Sequence, residues 1–412
     1  MTCGRHAAPP WRTRTFGGLP PAFWRTAAVV AIGRSGVYVQ FFLGYYLARS
    51  LGLSSSQVTV VLAAWGAGWA GGTPLAGWLA DRIGPRAVVV IGNTTAAAAY
   101  IAATEARSLP ALMAVAGVVG LAQDAWRPGA MSVVAGAAKD ETQRRRCLTL
   151  IWWLVQVTAI FAALTGGLIG ARAGLVWLFP ANAVVALGAA AAARMLPGDV
   201  RPREAKPGGW AGDRLPLMLL MAFTVLTVAA LAVEAESMVA LPVKFASIGI
   251  PPLDAGLIIA VNPVTCAVVQ PLVQRWLVRL PAVGICAAGM ALTGIGIAVT
   301  GSGHGLAWFA ATSVVWVLGE IALLGGGPAV VSSIAPPGQV ASYLGLWQSS
   351  MGLAVLTAAL AGAALIHVGG LHMLWACCAV TGLTAAGGCA ALSRPVAYCS
   401  LRLVRPLARH VT

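Results

Sequence analysis

Charge is scarce in this chain. Of 412 residues only 9% are Asp, Glu, Lys or Arg, and just 12 are acidic; soluble proteins carry roughly 25% charged residues. So few charges could not cover the surface of a soluble protein of this length, and a disordered chain would need more. Ligand spacing is missing too. The eight cysteines, Cys3, Cys147, Cys266, Cys286, Cys377, Cys378, Cys389 and Cys399, form no CxxC and no Cys/His pattern. Most lie in apolar runs and read as small packing residues, which excludes a disulfide scaffold. His6, His304, His367, His372 and His410 form no metal-spaced cluster. No HExxH, GxSxG or GxxxxGK[ST] run occurs, so metalloprotease, hydrolase and ATP-driven chemistry have no support. The expectation is no metal, no cofactor and no enzyme.

What is plentiful is apolar. Hydrophobic residues make up 59% of the chain, with 49 glycines and 15 tryptophans, against about 45–50% apolar residues in soluble proteins. The net charge of +15 suggests a nucleic-acid partner, but the hydropathy points to a membrane protein with its charge in the loops. Residues 1–22, with Arg5, Arg12 and Arg14, read as a cytoplasmic lead-in before an uncleaved first helix. Twelve apolar runs follow, at 23–47, 56–79, 87–106, 110–135, 147–170, 175–195, 215–241, 254–277, 281–300, 306–334, 341–366 and 371–392. Each is near the ~20 residues a helix needs to cross hydrocarbon. Helices satisfy their own backbone in lipid, so the expected class is all-α integral membrane. These runs are called spans 1 to 12 below.

Basic residues set the orientation. With the N-terminus inside, 21 of the 27 fall on one face: Arg5, Arg12, Arg14 and Arg25; Arg82 and Arg86; Lys139, Arg144, Arg145 and Arg146; Arg194, Arg201, Arg203, Lys206 and Arg214; Arg275 and Arg279; Arg394, Arg402, Arg405 and Arg409. The other face holds Arg49, Arg107, Arg172 and Lys244. Both termini are therefore expected in the cytoplasm, with the chain in the plasma membrane. A polar linker at 197–214 divides a six-span half at 23–196 from another at 215–392, and a basic tail occupies 393–412. The tail reads as an interfacial segment drawn to anionic lipid, not to nucleic acid. The halves echo each other. Trp152, Ala163 and Gly167 of span 5 recur 195 positions on as Trp347, Ala358 and Gly362, and Pro128, Ser132 and Ala135 of span 4 recur 200 positions on as Pro328, Ser332 and Ala335.

Between spans 2 and 3 the chain reads Gly77-Trp78-Leu79-Ala80-Asp81-Arg82-Ile83-Gly84-Pro85-Arg86. This resembles the GxLaDrxGrk signature of the major facilitator superfamily, in the loop where that family keeps it. The resemblance implies that family's fold, with 12 transmembrane helices in two six-helix pseudo-repeats. It also implies a secondary transporter that alternates access by rocking the two halves about a midplane site. Gly77, Asp81, Arg82, Gly84 and Arg86 would form a latch holding span 2 against span 11 in the outward-facing state, Gly77 permitting close helix approach. The chain departs from the pattern at Pro85, where a basic residue is usual, and at Ala116, where the family's span-4 arginine would fall. Gly166-Gly167 of span 5 follows Ala162-Ala163 in place of the Gly-Pro pair common in drug:proton antiporters.

Six ionisable residues remain inside the spans: Arg34 in span 1, Asp124 and Arg127 in span 4, Glu234 and Glu236 in span 7, and Glu320 in span 10. Charges at such depth are costly, and all six fall on the four spans that line the central cavity in the superfamily. Arg34 and Glu320 lie near the midplane. Asp124 and Arg127, three apart, share a helix face and can pair. Glu234 and Glu236 cannot both face inward, and Glu234 is the deeper. Glu320 can hold a proton and release it as the cavity rewets. Arg34, Asp124, Arg127, Glu234 and Glu320 are thus the expected substrate and proton residues, with Tyr38, Gln123, Trp152, Trp153, Gln156, Asn262 and Gln348 as further cavity lining.

The two positive and four negative residues within the spans favour protons and a cationic or neutral solute. The reading is proton-coupled efflux of a small organic molecule by a monomer. Its alternatives are import or uniport on the same fold, a membrane enzyme, or a non-transporting receptor.

Overall fold

The computed structural model describes residues 18–139, 141–196, 214–277, 280–336 and 339–408. The first part of the lead-in, the 197–213 linker and residues 409–412 lie outside the described residues, as do the side chains of Asp81, Pro128, Ser132, Ala135, Gln274 and Arg275. Among the described residues no strand occurs.

The helices are α1 (Pro21–Ser35), α2 (Tyr38–Arg49), α3 (Ser55–Ile83), α4 (Pro85–Glu105), α5 (Leu109–Gln123), α6 (Trp126–Ala137), α7 (Glu141–Arg172) and α8 (Leu178–Ala192). After the linker come α9 (Arg214–Ser247), α10 (Pro252–Leu277), α11 (Ala282–Ser302), α12 (Leu306–Ile334), α13 (Val340–Gln348), α14 (Ser350–Ala391) and α15 (Ser393–Ala408). By length and composition, nine helices among the described residues can cross a membrane, and Leu109–Gln123 is a shorter apolar one. One of the nine, Tyr343–Arg402, covers two expected spans and the first half of the tail. A helix or a broken pair of helices thus stands at each of the twelve expected positions.

Helix ends follow local chemistry. Ser54 caps α3 in a reciprocal box with Gln57, and Pro85 opens α4, where its missing N–H is not needed. Gly84 turns between them at φ +89°, a conformation glycine adopts without strain. This explains the departure from the signature: Pro85 begins a helix and is buried, with Gly129 packed on it. Gly370, at φ +68°, breaks α14 where spans 11 and 12 meet.

Spans 1 and 4 are interrupted beside charged residues. Span 1 breaks at Gly36 and Val37, and the freed amide of Val39 donates to Asn182 Oδ1 at 3.0 Å. Span 4 breaks at Asp124 and Ala125, one turn before Pro128, which has no N–H to offer the Asp124 carbonyl. Both breaks put a charged residue where a helix dipole favours it. Arg34 ends α1 and Asp124 precedes α6.

The halves meet along α3 with α14 and along α7 with α10, through small residues as membrane helices require. A Cβ on Gly352 would lie 2.6 Å from the Ala70 Cα, and one on Gly66 2.8 Å from the Leu356 nitrogen. A Cβ on Gly77 would meet nothing within 4 Å. The close approach expected at Gly77 therefore lies further up α3, at Gly66 and Ala70. At the far end, the Tyr45 hydroxyl donates to the Ile250 carbonyl at 2.5 Å.

Lys244, counted above among outer-loop cations, is buried. Its ammonium donates to the carbonyls of Gly301 and Gly303, the latter at 2.8 Å, capping the C-terminus of α11. Lys244→Met is expected to cost about 1.5–3 kcal/mol, the worth of hydrogen bonds to a charged group, seen as a lower unfolding temperature in detergent. An unchanged melting curve would contradict the capping role. On α15, Val396 and Cys399 are buried against the bundle, whereas Arg394, Tyr398 and Leu401 face outward.

Candidate functional site

A cavity of about 280 Å³ lies between the halves, at the small end of the roughly 300–1,000 Å³ of ligand pockets. The N-terminal half contributes Arg34, Gln40, Trp69, Arg127, Trp152 and Gln156 to its walls. The C-terminal half contributes Glu234, Asn262, Glu320, Trp347 and Gln348. Both cations come from one half and both carboxylates from the other.

On the basic wall, Asp124 sits behind the two arginines. Its carboxylate lies 2.9 Å from Arg127 Nη2 and 3.6 Å from Arg34 Nη1, and it accepts a 3.0 Å hydrogen bond from Trp69 Nε1. Arg34 also donates to Gln40 Oε1 at 3.4 Å. One carboxylate thus serves two guanidinium groups, leaving one positive charge in excess. The excess positive charge on residues that line the cavity suits the wall to an anionic group. Arg127 stands 5.0 Å from the Trp152 ring centroid, a cation–π distance.

On the acidic wall, Asn262 Nδ2 donates to Glu320 Oε2 at 2.7 Å. The partner of Arg34 is Asp124, not Glu320, and no ion pair to Glu320 occurs among the described residues. Glu234 lines the cavity. Glu236, two residues on, turns away from it and packs on Gly362, where an added Cβ would be 2.7 Å from its Oε1.

The expected charge balance therefore needs correcting. Asp124 is occupied by the arginines and Glu236 is outside the cavity, so the lining residues are not a net acidic set. They are two cations facing two carboxylates. Several other expected lining residues also lie elsewhere. Gln123 accepts from Trp65 Nε1 at 3.2 Å between α3 and α5. Tyr38 packs against Gly166. Trp153 donates across the halves to the Ala267 carbonyl at 3.1 Å. Gln40 and Trp69 do line the cavity, and sequence reasoning passed over both. Gln40 was visible as a lone amide in an apolar run, whereas nothing marked Trp69 out from the other tryptophans. In the loop signature, Arg82 lies over its own Trp78 at 4.1 Å, and Gly84 and Arg86 sit at the α3–α4 turn.

Comparison with known proteins bears on this arrangement. The sequence pattern described as Major Facilitator Superfamily matches residues 26–233 and 217–399. No curated protein matches in sequence. Among solved structures, a peptide transporter POT in complex with sulfate is 19% identical with TM-score 0.74, covering 93% of this chain and 96% of its own. The nucleoside transporter NupG is 15% identical with TM-score 0.70, covering 92% and 99%. A POT family transporter in complex with 5-aminolevulinic acid is 14% identical with TM-score 0.73, covering 92% and 98%. At these identities the likeness is one of fold. The chain is a multi-pass membrane transporter and belongs to the Major Facilitator Superfamily.

Proposed function

We propose that this chain is a proton-coupled secondary transporter for a small zwitterionic solute. The observation that carries the reading is the division of charge across the cavity. Arg34 and Arg127, which share the single carboxylate of Asp124, would take a carboxylate or similar anion, and Glu234 and Glu320 would take an ammonium group. The 280 Å³ volume limits the solute to a small one. Two of the solved neighbours hold ligands of related chemistry, sulfate in one and 5-aminolevulinic acid in the other.

The direction we assign is uptake, the alternative to efflux, because span 5 lacks the Gly-Pro pair of drug:proton antiporters. The halves 23–196 and 215–392 would rock as units, with twelve spans crossing the plasma membrane and both termini in the cytoplasm. Rocking would carry Gly77, Asp81 and Arg82 toward span 11 in the outward-facing state. Glu320, which accepts from the Asn262 amide, would hold a proton that travels inward with the solute, while the solute's ammonium hydrogen-bonds to it and draws its counter-charge from Glu234.

The test is uptake of 5-aminolevulinic acid and dialanine into sealed proteoliposomes with and without an inward proton gradient. Gradient-driven accumulation is expected for the wild type, with the response reduced roughly tenfold in Glu320→Gln, the size of a typical coupling between two bound species. Exchange without a gradient should survive that substitution. Flux indifferent to both gradient and substitution would sink the coupling role. Dialanine methyl ester, which lacks the carboxylate, is expected to compete at least about tenfold more weakly than dialanine, the loss of a charge-assisted hydrogen bond. Equal competition would remove the arginines as its site.

A further inference from the structure

A second cavity, of about 60 Å³, adjoins the first. Phe41, Met238, Asn262 and Pro263 line both, so the two spaces share a wall on α2, α9 and α10. Beyond that wall the small cavity is bounded by Leu241, Phe245, Ile258, Ile259 and Trp316, with the hydroxyl-bearing Ser237 and Ser313. Its lining holds no ionisable side chain, in contrast to the main cavity. Asn262 ties the two together. Its amide donates to Glu320 at 2.7 Å, and the same residue borders the side pocket. A solute whose ammonium group reaches Glu320 therefore brings whatever is bonded beside that group to the edge of the apolar space.

We propose that this side pocket receives a short aliphatic substituent carried next to the cationic end of the transported solute. The assignment rests on the zwitterionic reading above and narrows it. The solute class becomes small zwitterions with a compact branched or straight alkyl group beside the ammonium, such as a short peptide with an aliphatic N-terminal residue. The volume sets the limit. A short alkyl group fits, and an indole does not. Removing apolar contacts of this size from a fitted pocket lowers affinity by roughly tenfold or more, so diglycine should bind at least that much more weakly than leucyl-glycine, whose isobutyl group stands beside the ammonium.

Thiol labelling tests the pocket without knowledge of the natural solute. In a Cys266→Ala background, Ser313→Cys places a thiol of nearly unchanged size in the pocket, and Gln348→Cys places one in the main cavity. Methyl, propyl and benzyl methanethiosulfonates are applied to each. At Ser313→Cys, modification by the methyl and propyl reagents is expected, with the benzyl reagent at least about tenfold slower; at Gln348→Cys all three should react alike. Leucyl-glycine should protect Ser313→Cys, and diglycine should not. No reaction with the small reagents, or equal reaction with the benzyl reagent, overturns the pocket, the latter marking an open path in its place. Equal protection by the two dipeptides overturns the substituent assignment. Size-selective labelling with protection by neither supports the alkyl pocket and defeats the zwitterionic reading. Wild-type competition between diglycine and leucyl-glycine reports the same preference should Ser313→Cys fail to fold.

Discussion

Asp124→Asn is expected to destabilise the protein by about 3–5 kcal/mol, the cost of breaking a buried ion pair from one side. The substitution keeps the shape of the side chain and an acceptor for Trp69 Nε1, so the loss is electrostatic. Arg34 and Arg127 would then face each other with no counter-charge, and each already has a buried nitrogen without a partner. Arg34 is the more enclosed, at 9% side-chain exposure against 16% for Arg127. Adding Arg34→Gln to Asp124→Asn should therefore recover most of the loss, because the remaining arginine can reach the aqueous cavity. Thermal unfolding in detergent, followed by size-exclusion chromatography, reads both variants. A double variant no more stable than the single one would mean that Asp124 acts by packing and not as the counter-ion of two guanidinium groups.

Gly120→Leu is expected to abolish folding, whereas Gly77→Leu should fold normally and fail to transport. A Cβ on Gly120 would collide with the Trp65 carbonyl oxygen and come within 3.0 Å of the Trp69 nitrogen. Helices α3 and α5 touch backbone to backbone there, and on either side at Gly68 and Gly72. Even one carbon at such a contact costs typically 1–3 kcal/mol, and leucine adds several. Around Gly77 there is open space, so its substitution should leave stability within about 0.5 kcal/mol of wild type. Should the loop signature close on span 11 during transport, leucine at 77 would obstruct only that step. Normal flux in Gly77→Leu would remove the latch from the mechanism.

Spacing along the chain made some of the site legible and left other parts hidden. The helical positions followed from apolar run length, and the six charges within the spans were visible because an ionisable residue in an apolar run stands out. Helical periodicity separated Glu234 from Glu236, since residues two apart point to different faces. It also allowed Asp124 to meet Arg127. The second partner of Asp124, Arg34, lies 90 positions away and is brought close by two helix breaks, which no local pattern encodes. Gln123 looked like cavity lining for the same reason as Gln156. Only the packing of α3 on α5 shows that the first satisfies Trp65 while the second lines the cavity. Close helix contact was similarly misplaced. Glycine content showed that backbones approach one another, but Gly66 and Gly352 could not be told from Gly77 without the neighbouring helix.

The cavity's aromatic walls have a consequence for observation. Trp69, Trp152 and Trp347 line it, and their indoles report local electric fields through the wavelength of their emission. Trp152 lies beneath the Arg127 guanidinium, while Trp69 donates to the Asp124 carboxylate. A solute anion docking on the arginines would alter the field at both rings, so its arrival should appear as a spectral shift in the unlabelled protein. The transporter thus contains its own optical voltmeter, placed at the charges it would use.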